Sequence, residues 1–471
     1  MNFDMKDVAG LEARNIAYSE DGQGNDLMLV KEYVHLKDGR VVPNIRFRKN
    51  YMRKFYVAKT GTRNYKEKKQ WESKENVIEF QTNQANLAAS AHKALGGFGQ
   101  HRGLREVFKS PYLYGCGVKP TVLLRNEYQT RFADFVTPRA RVMVYDIETD
   151  MFKPGNEPII ATITMKEHVH CAIVKSFLGD KEDIDRKLIM DACHRHLSKY
   201  IKERNLKIEI TFHDNAGDAC DYIIRKTHEY SPDFLTAWNM EFDITTTELY
   251  LRKHGYDPAV TFSDPSVPRN FKHFKFKHGP KQKETHDGSL MSKANYEQWH
   301  KVEAMAGYYI VDAMGVYYQL RFAAGKEEGY GLDSVLGRNL NLSKLKIPEV
   351  EGLIGPDWHK KMQKDYKYDY VAYNIFDCIA VELLDEKTND LATAFPLACG
   401  VSNYEDFASN PRQIADDMHF IVEADNHVIG VTLDELNDEN DAKVVGVRGW
   451  IAILPAHMCD AEGVDVIDYM N

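Results

Sequence analysis

Apolar positions along this chain fall into a few distinct rhythms. Val142-Met143-Val144-Tyr145 is a compact apolar run and reads as a buried strand. PIIATITM at 158–165 and HCAIVKSF at 170–177 read the same way, so the three together predict a meander. Helical spacing predicts a helix over 183–203 with Ile184, Leu188, Ile189 and Cys193 on one side. A second helical stripe, Val371, Ile375, Cys378 and Ile379, continues into Ala380 and Leu384 and predicts a helix over 369–387 buried nearly all round. Phe274 and Phe276 alternate with Lys275 and Lys277, which predicts a β-hairpin around the Gly279-Pro280 turn. Residues 1–139 alternate strand-like runs with turns (DGQGND, KDGR), and Asn410-Pro411 is a helix start, cap then first-turn proline.

At 471 residues the chain is too long for one domain, and length alone argues for about three. The patterns divide it into 1–139, a mixed N-terminal domain; 140–390, a central α/β domain; and 441–471, a linker and tail. Residues 391–440 are expected to return to the first domain. The acidic DELNDEND at 434–441 reads as an exposed linker, and KVVGVRGWIAILP at 443–455 as a strand. A formal charge of −9 excludes a generally basic nucleic-acid coat, so any such binding has to use local surfaces. Seven cysteines without regular spacing fit a reduced, intracellular protein. The start MNFDMKDVAG has no apolar signal-peptide core, and no run reaches the length of a membrane span.

The strand run changes meaning at its end. Asp146 and Glu148 are i and i+2, so both carboxylates leave the same face of the sheet. Two anions that close repel unless a cation lies between them. Further carboxylates follow. AWNMEFDITTTELY at 237–250 ends a short apolar lead in Asn239 and then gives Phe242-Asp243. In the helix over 369–387, Tyr373 and Asp377 are i and i+4 on one face, and facing inward they need polar or metal partners. Four carboxylates can hold two divalent ions, and hard oxygen donors select Mg²⁺ or Mn²⁺. In that reading Asp146 bridges both ions, Glu148 and Asp377 complete the one that activates water, Asp243 serves the leaving-group side, and Tyr373 orients the water. Asn239 and Phe242 would meet the terminal nucleotide.

The order D-x-E, N-x(2)-F-D, Y-x(3)-D in VYDIETD, WNMEFD and YNIFD resembles the three motifs of the DEDDy 3′–5′ exonucleases, and in particular the proofreading domain of tailed-phage family B DNA polymerases. YYIVDAMGVYYQL at 308–320, with Asp312, and GYGLDSVLGRNLNLSKLKI at 329–347 are similar to segments between those motifs. YVHLKDGRVVPNIRFRKNYMRKFYV at 33–57 resembles the family's N-terminal domain. The likeness spans roughly 30–450. It implies an α/β (α+β) architecture: an RNase H-like exonuclease domain flanked by a mixed N-terminal domain, with the start of a palm after 441. It implies DNA as partner (a single-stranded 3′ end or primer-template), two Mg²⁺ or Mn²⁺ ions, a polymerase C-terminal fragment or the rest of the chain, a sliding clamp, and the cytoplasm of a host cell. The family's polymerase motifs are absent; Asp465 and Asp468 stand in none of them. The chain therefore reads as the N-terminal and exonuclease half, truncated or encoded separately.

Other constellations compete. Lys272, Lys275 and Lys277 sit where the family has a hairpin that passes the primer end between sites; they would contact phosphate, or be a solvated face. The basic, aromatic segment 46–74 suits single-stranded nucleic acid, or is a strand with aromatic core and solvated cations. Cys193, His194, His196, His213 and Cys220 lack zinc-finger spacing, with Cys193 expected in the core and the histidines outside. Two functions oppose the proofreading exonuclease: a non-catalytic module binding nucleic acid and a partner polymerase chain, and a free-standing RNase of the same fold.

Overall fold

The computed structural model describes residues 4–99, 103–179, 181–285 and 288–430. The acidic stretch 434–441, the strand expected at 443–455 and the palm-like tail lie outside the described residues. The chain divides into two units, one formed by Met1–Ser19, Met28–Arg48 and Tyr128–Ala398, the other by Glu20–Leu27, Lys49–Glu127 and the residues from Cys399 onward. The first 139 residues are thus shared between them.

The first unit begins with a three-stranded sheet, β1 (Val8–Glu20), β2 (Asp26–Leu36) and β3 (Val41–Lys49), in that order. Its main sheet is built from β4 (Val142–Thr149), β5 (Pro158–Met165), β6 (His168–Val174), β7 (Lys207–His213) and β8 (Phe234–Ala237). A separate antiparallel pair follows, β9 (Phe274–Lys277) and β10 (Lys301–Ala304), and then the last strand of the main sheet, β11 (Tyr309–Asp312). The six-stranded order is β7-β6-β5-β4-β8-β11. The meander β4-β5-β6 is antiparallel, while β7, β8 and β11 join in parallel, so this is a mixed α/β sheet. Full burial of β5 explains why it reads as an unbroken apolar run.

The long helices α1 (Glu182–Arg204), α2 (Ala216–Tyr230) and α3 (Met240–Lys253) alternate with β7 and β8 along the chain. Alternation along β4 sends Met143, Tyr145 and Ile147 into a core to which α2 and α3 supply Ala219, Ile223, Met240 and Ile244. The other face of β4 meets a helix from much later in the chain. After α4 (Ala313–Arg321), α5 (Leu332–Leu340) and α6 (Gly355–Asp365) comes α7 (Lys367–Thr388), which packs on β4, β5 and α1. Residues 370–382 of α7 are buried without a break. Each large apolar side chain there contributes about 1.5–3 kcal/mol of burial, so α7 is held by packing rather than helix propensity. Asn389 ends it in the left-handed conformation, φ 55°.

Two expectations change. On α1 the buried side is Asp185, Ile189, Ala192, Cys193 and Leu197, whereas Ile184 is 55% exposed and Leu188 is at the surface; Asp185, which accepts from the Tyr368 hydroxyl at 2.9 Å, turns inward in the first turn, so Ile184 and Leu188 face away from the packed side. Nor does Gly279-Pro280 turn a hairpin: β9 pairs with β10, more than twenty residues on, and the local hairpin is Gln282–Glu284 with Leu290–Ser292.

Within this unit the N-terminal sheet is tied to the main sheet through Asp233. Lys31 Nζ lies 2.7 Å from its Oδ1, Tyr33 donates to Oδ2 at 3.0 Å, and the Arg141 backbone N–H donates to Oδ2 at 2.8 Å. Burial would raise the Asp233 carboxyl, but Lys31 and Arg14 outweigh it and hold it below its ordinary value.

In the second unit Arg53–Ala58 is the central strand between Val77–Thr82 and Leu113–Tyr114. Phe55, Val57, Leu87, Ala91 and Leu113 form its core. His427–Ile429 pairs with Trp71–Ser73, bringing the chain back to this unit, and helix Asn410–Ala424 starts one residue after its cap, Ser409. In the basic segment, Phe55 and Tyr56 are core, and Arg53 is buried, donating to the carbonyls of Gly115 and Val118 at 2.8 and 2.7 Å. Those groups follow the strand-and-core reading.

Candidate functional site

Asp146 and Glu148 project from the face of β4 that α7 covers, and each is gripped by that helix. Asn374 Nδ2 donates to Asp146 Oδ2 at 2.6 Å, and the Tyr370 hydroxyl donates to Glu148 Oε2. Tyr370 is oriented in turn by His359 Nδ1 at 2.8 Å and by Gln363, whose Nε2 also donates to Thr149 O at 2.7 Å. A register shift between Glu148 and Thr149 interrupts the pairing with β5 beside these carboxylates, which resumes as Thr149 with Pro158.

Asp243 reaches the same strand end from the first turn of α3. The pairing of β8 with β4 stops at Val144, which leaves the N–H of Ile147 free on that edge. That backbone dipole favours the charged form of the Asp243 carboxyl, while burial and the charges of Asp312 and Glu148 push the carboxyl well above its ordinary range. Asn239 is the residue before α3, partly exposed and without a capping side-chain bond, and Phe242 is 36% exposed. Asp312, at the end of β11, caps α4 by accepting from Gly315 N–H at 3.0 Å and adds its charge to that of Asp243.

Asp377 and Tyr373 stand one turn apart on α7. A lysine joins them: Lys344 Nζ is 2.5 Å from Asp377 Oδ2 and 2.9 Å from the Tyr373 hydroxyl. Its loop is fixed by local chemistry. Asn341, left-handed at φ 53°, ends α5, and Asp333 Oδ1 accepts from the Lys344 backbone N–H at 2.7 Å. The Tyr373 ring lies 6.0 Å from that of Tyr370 with planes 2° apart, and Trp358 packs on it at 4.7 Å.

Electrostatics tie these groups together. Burial, then Asp243, Glu148 and Asp377, push the Asp146 carboxyl well above its ordinary range, with Lys344 opposing. Burial lifts Glu148 to about 7 against its bond from Tyr370. Burial lifts Asp377 too, although Lys344 opposes it. For Lys344, burial pulls downward but Asp377, Asp146 and Glu148 win, so its ammonium is held charged. One cation therefore faces at least three carboxylates that resist ionising together. Asp377 Oδ1 and Asn374 Oδ1 are buried without a hydrogen-bond partner. Hard oxygen donors, excess negative charge and an orphaned carboxylate oxygen fit one or more hard divalent cations. The carboxylates are not drawn tight: among the described residues, the only metal-type trio with ligand atoms all within 4.8 Å is Glu241, His278 and His300.

The structure thus brings Asp146, Glu148, Asp243, Tyr373 and Asp377 to one strand end, with Asn239 and Phe242 on the adjoining helix start. The three lysines are placed otherwise. They lie on or beside β9; Lys277 is ion-paired with Glu303, Lys272 is half-buried, and Lys275 is exposed. Of the cysteine-histidine set, Cys193 and Cys220 are buried, His194 is exposed, and His196 bonds Asp369 at 2.7 Å. Sequence reasoning left Lys344, Asn374, Tyr370 and Gln363 out of the site. The signal for the first two was present, one lysine in the turn after α5 and one amide beside Tyr373 in YNIFD. Gln363 carried none.

No helix among the described residues is long and apolar enough to cross a membrane. No protein-family model and no curated sequence matches the chain.

Proposed function

We propose that this chain is a metal-dependent 3′–5′ DNA exonuclease, the proofreading portion of a family B DNA polymerase acting in replication, as in the phage branch. The observation that carries the reading is the convergence of Asp146, Glu148, Asp243 and Asp377 on one strand end with Tyr373 and Lys344 beside them. The order β7-β6-β5-β4-β8-β11, with the first carboxylates on the central antiparallel strand, supports an RNase H-like fold.

The four carboxylates would hold two Mg²⁺ or Mn²⁺ ions, which when bound activate water and stabilise the leaving 3′ oxygen. The chain's own groups do the rest. Asn374 fixes Asp146 and Tyr370 fixes Glu148, so neither carboxylate has to reorganise. The Tyr373 hydroxyl, held by Lys344, orients the attacking water. Lys344 keeps its proton on Nζ and sets a positive charge where a scissile phosphate would gain negative charge. Phe242 and Asn239 offer an exposed ring and an uncommitted amide to the terminal nucleotide, and Lys275 an exposed cation to its phosphate. DNA, the remainder of a polymerase and a sliding clamp are the partners this role requires, in a host cell's cytoplasm.

The test is degradation of 5′-labelled single-stranded DNA by the purified chain, with Mg²⁺ and with EDTA. A ladder shortening from the 3′ end only with Mg²⁺ is expected. A folded protein that leaves the DNA intact under both conditions would overturn the proposal in favour of a binding module.

A further inference from the structure

A second set of metal-type donors lies outside the carboxylate site, and backbone register assembles it. In the β9–β10 ladder Phe274 pairs with Ala304 and Lys277 with Lys301. One step further along the same register sets His278 opposite His300. The next step sets Gly279 against Trp299, where a Cβ on Gly279 would lie 2.6 Å from the Trp299 carbonyl oxygen, so only glycine lets the two strands close. Glu241, in the first turn of α3, faces the two rings. Its Oε1 is 2.9 Å from His278 Nδ1 and its Oε2 is 3.6 Å from His300 Nε2.

From this we infer that Glu241, His278 and His300 form a binding site for a single borderline divalent ion, Zn²⁺ foremost. Ligand atoms of the three residues all fall within 4.8 Å of one another. Zn–N and Zn–O bonds of about 2.0–2.1 Å at tetrahedral angles place neighbouring ligand atoms about 3.3 Å apart. Glu241 Oε1 and His278 Nδ1, hydrogen-bonded at 2.9 Å, and Glu241 Oε2 and His300 Nε2, 3.6 Å apart, lie on either side of that value. The second is too long for a hydrogen bond, so His300 Nε2 and Glu241 do not already satisfy each other. Two imidazoles and one carboxylate select Zn²⁺ over Mg²⁺, and three protein ligands leave a fourth position for water. Accessibility differs in a useful way: the His300 side chain is 1% exposed, Glu241 26% and His278 52%, so the buried ring stands at the base and the mouth is open. Binding through His300 Nε2 puts the proton on Nδ1 and so gives up the 3.3 Å bond that Nδ1 accepts from Gly279 N–H.

Such an ion would pin the β9–β10 pair to the first turn of α3, the turn that also carries Phe242 and Asp243. Its role is structural, and its chemistry is separate from that of the hard-metal carboxylates.

The probe is Co²⁺, a spectroscopic stand-in for Zn²⁺, titrated into the full chain carrying Asp146→Ala so that the carboxylate site is disabled, with Mg²⁺ in excess. One equivalent is expected to give the visible bands of a four-coordinate ion without thiolate charge transfer, and Zn²⁺ is expected to displace it. His278→Ala on the same background changes an exposed ring and is expected to abolish the bands; Glu241→Gln is expected to weaken binding at least tenfold. No bands, bands with thiolate charge transfer, or bands unchanged in both variants would overturn the site.

Discussion

Lys344 Nζ and Asp377 Oδ2 are 2.5 Å apart, and Asp377 keeps its other oxygen buried and unbonded. The lysine therefore occupies one oxygen of that carboxylate and leaves the other to a ligand. The side chain of Lys344 remains a third exposed, so the pair adds at most about 1 kcal/mol to stability. Its weight falls on chemistry. Lys344→Met is expected to lower Mg²⁺-dependent cleavage about 100-fold, the usual cost of removing one preorganised charge or donor, with the protein still folded by circular dichroism. Equal cleavage rates would remove Lys344 from the mechanism.

Asp146 is repelled by Asp243, Glu148 and Asp377 at once. Asp146→Ala is expected to remove Mg²⁺-dependent cleavage, by roughly 1,000-fold or more, while leaving the melting temperature in EDTA equal or higher, since a repelled carboxylate is gone. Cleavage retained in that variant would rule out the metal site as drawn.

The raised carboxyls also set a pH dependence. Glu148 and Asp312 are lifted by burial to about 7 from ordinary values near 4. Between those limits the folded chain holds more protons than the unfolded chain, so the contribution of these two groups makes stability fall as pH rises from about 4.5 to 7. Metal-free protein is expected to melt higher at pH 5.5 than at pH 8, with saturating Mg²⁺ at pH 8 recovering much of the difference. Glu148→Gln should flatten the metal-free profile; a slope unchanged in that variant would count against the assignment.

Tyr373 separates packing from chemistry. Its ring is stacked on Tyr370 and packed at a tilt against Trp358, while its hydroxyl meets Lys344. Tyr373→Phe is expected to keep the fold and substrate KM but lower kcat at least tenfold. A variant that lost KM instead would place the residue in binding.

Asp233 tests the N-terminal anchor. With Lys31 wholly buried beside it, Asp233→Ala leaves an unpaired charge and is expected to cost about 3–5 kcal/mol in urea unfolding. Adding Lys31→Met should recover part of that loss, and full additivity of the two changes would show that they do not act as a pair.

Much of the central architecture was legible because burial writes itself into composition. The unbroken apolar run of β5, the alternation that puts Asp146 and Glu148 on one face, and the stripe on α7 each follow from local period. The β9–β10 pairing was not legible, because its partner strand lies beyond an inserted hairpin and Gly279 marks a close approach rather than a turn. Lys344 was hard to place for a related reason: a lysine in a polar loop looks solvated until tertiary structure sets it against α7. The apolar start of α1 misled in the other direction, since helical spacing records what a face could bury and not whether anything covers it.

The unbroken burial of 370–382 on α7 has a consequence for how this molecule can diverge. A helix with no free side has no neutral positions, so a lineage drifting in sequence would accumulate its changes elsewhere. Novelty in substrate handling would be written on surfaces such as Lys275 and the Gln282–Ser292 hairpin, while the segment bearing Tyr373 and Asp377 stays frozen.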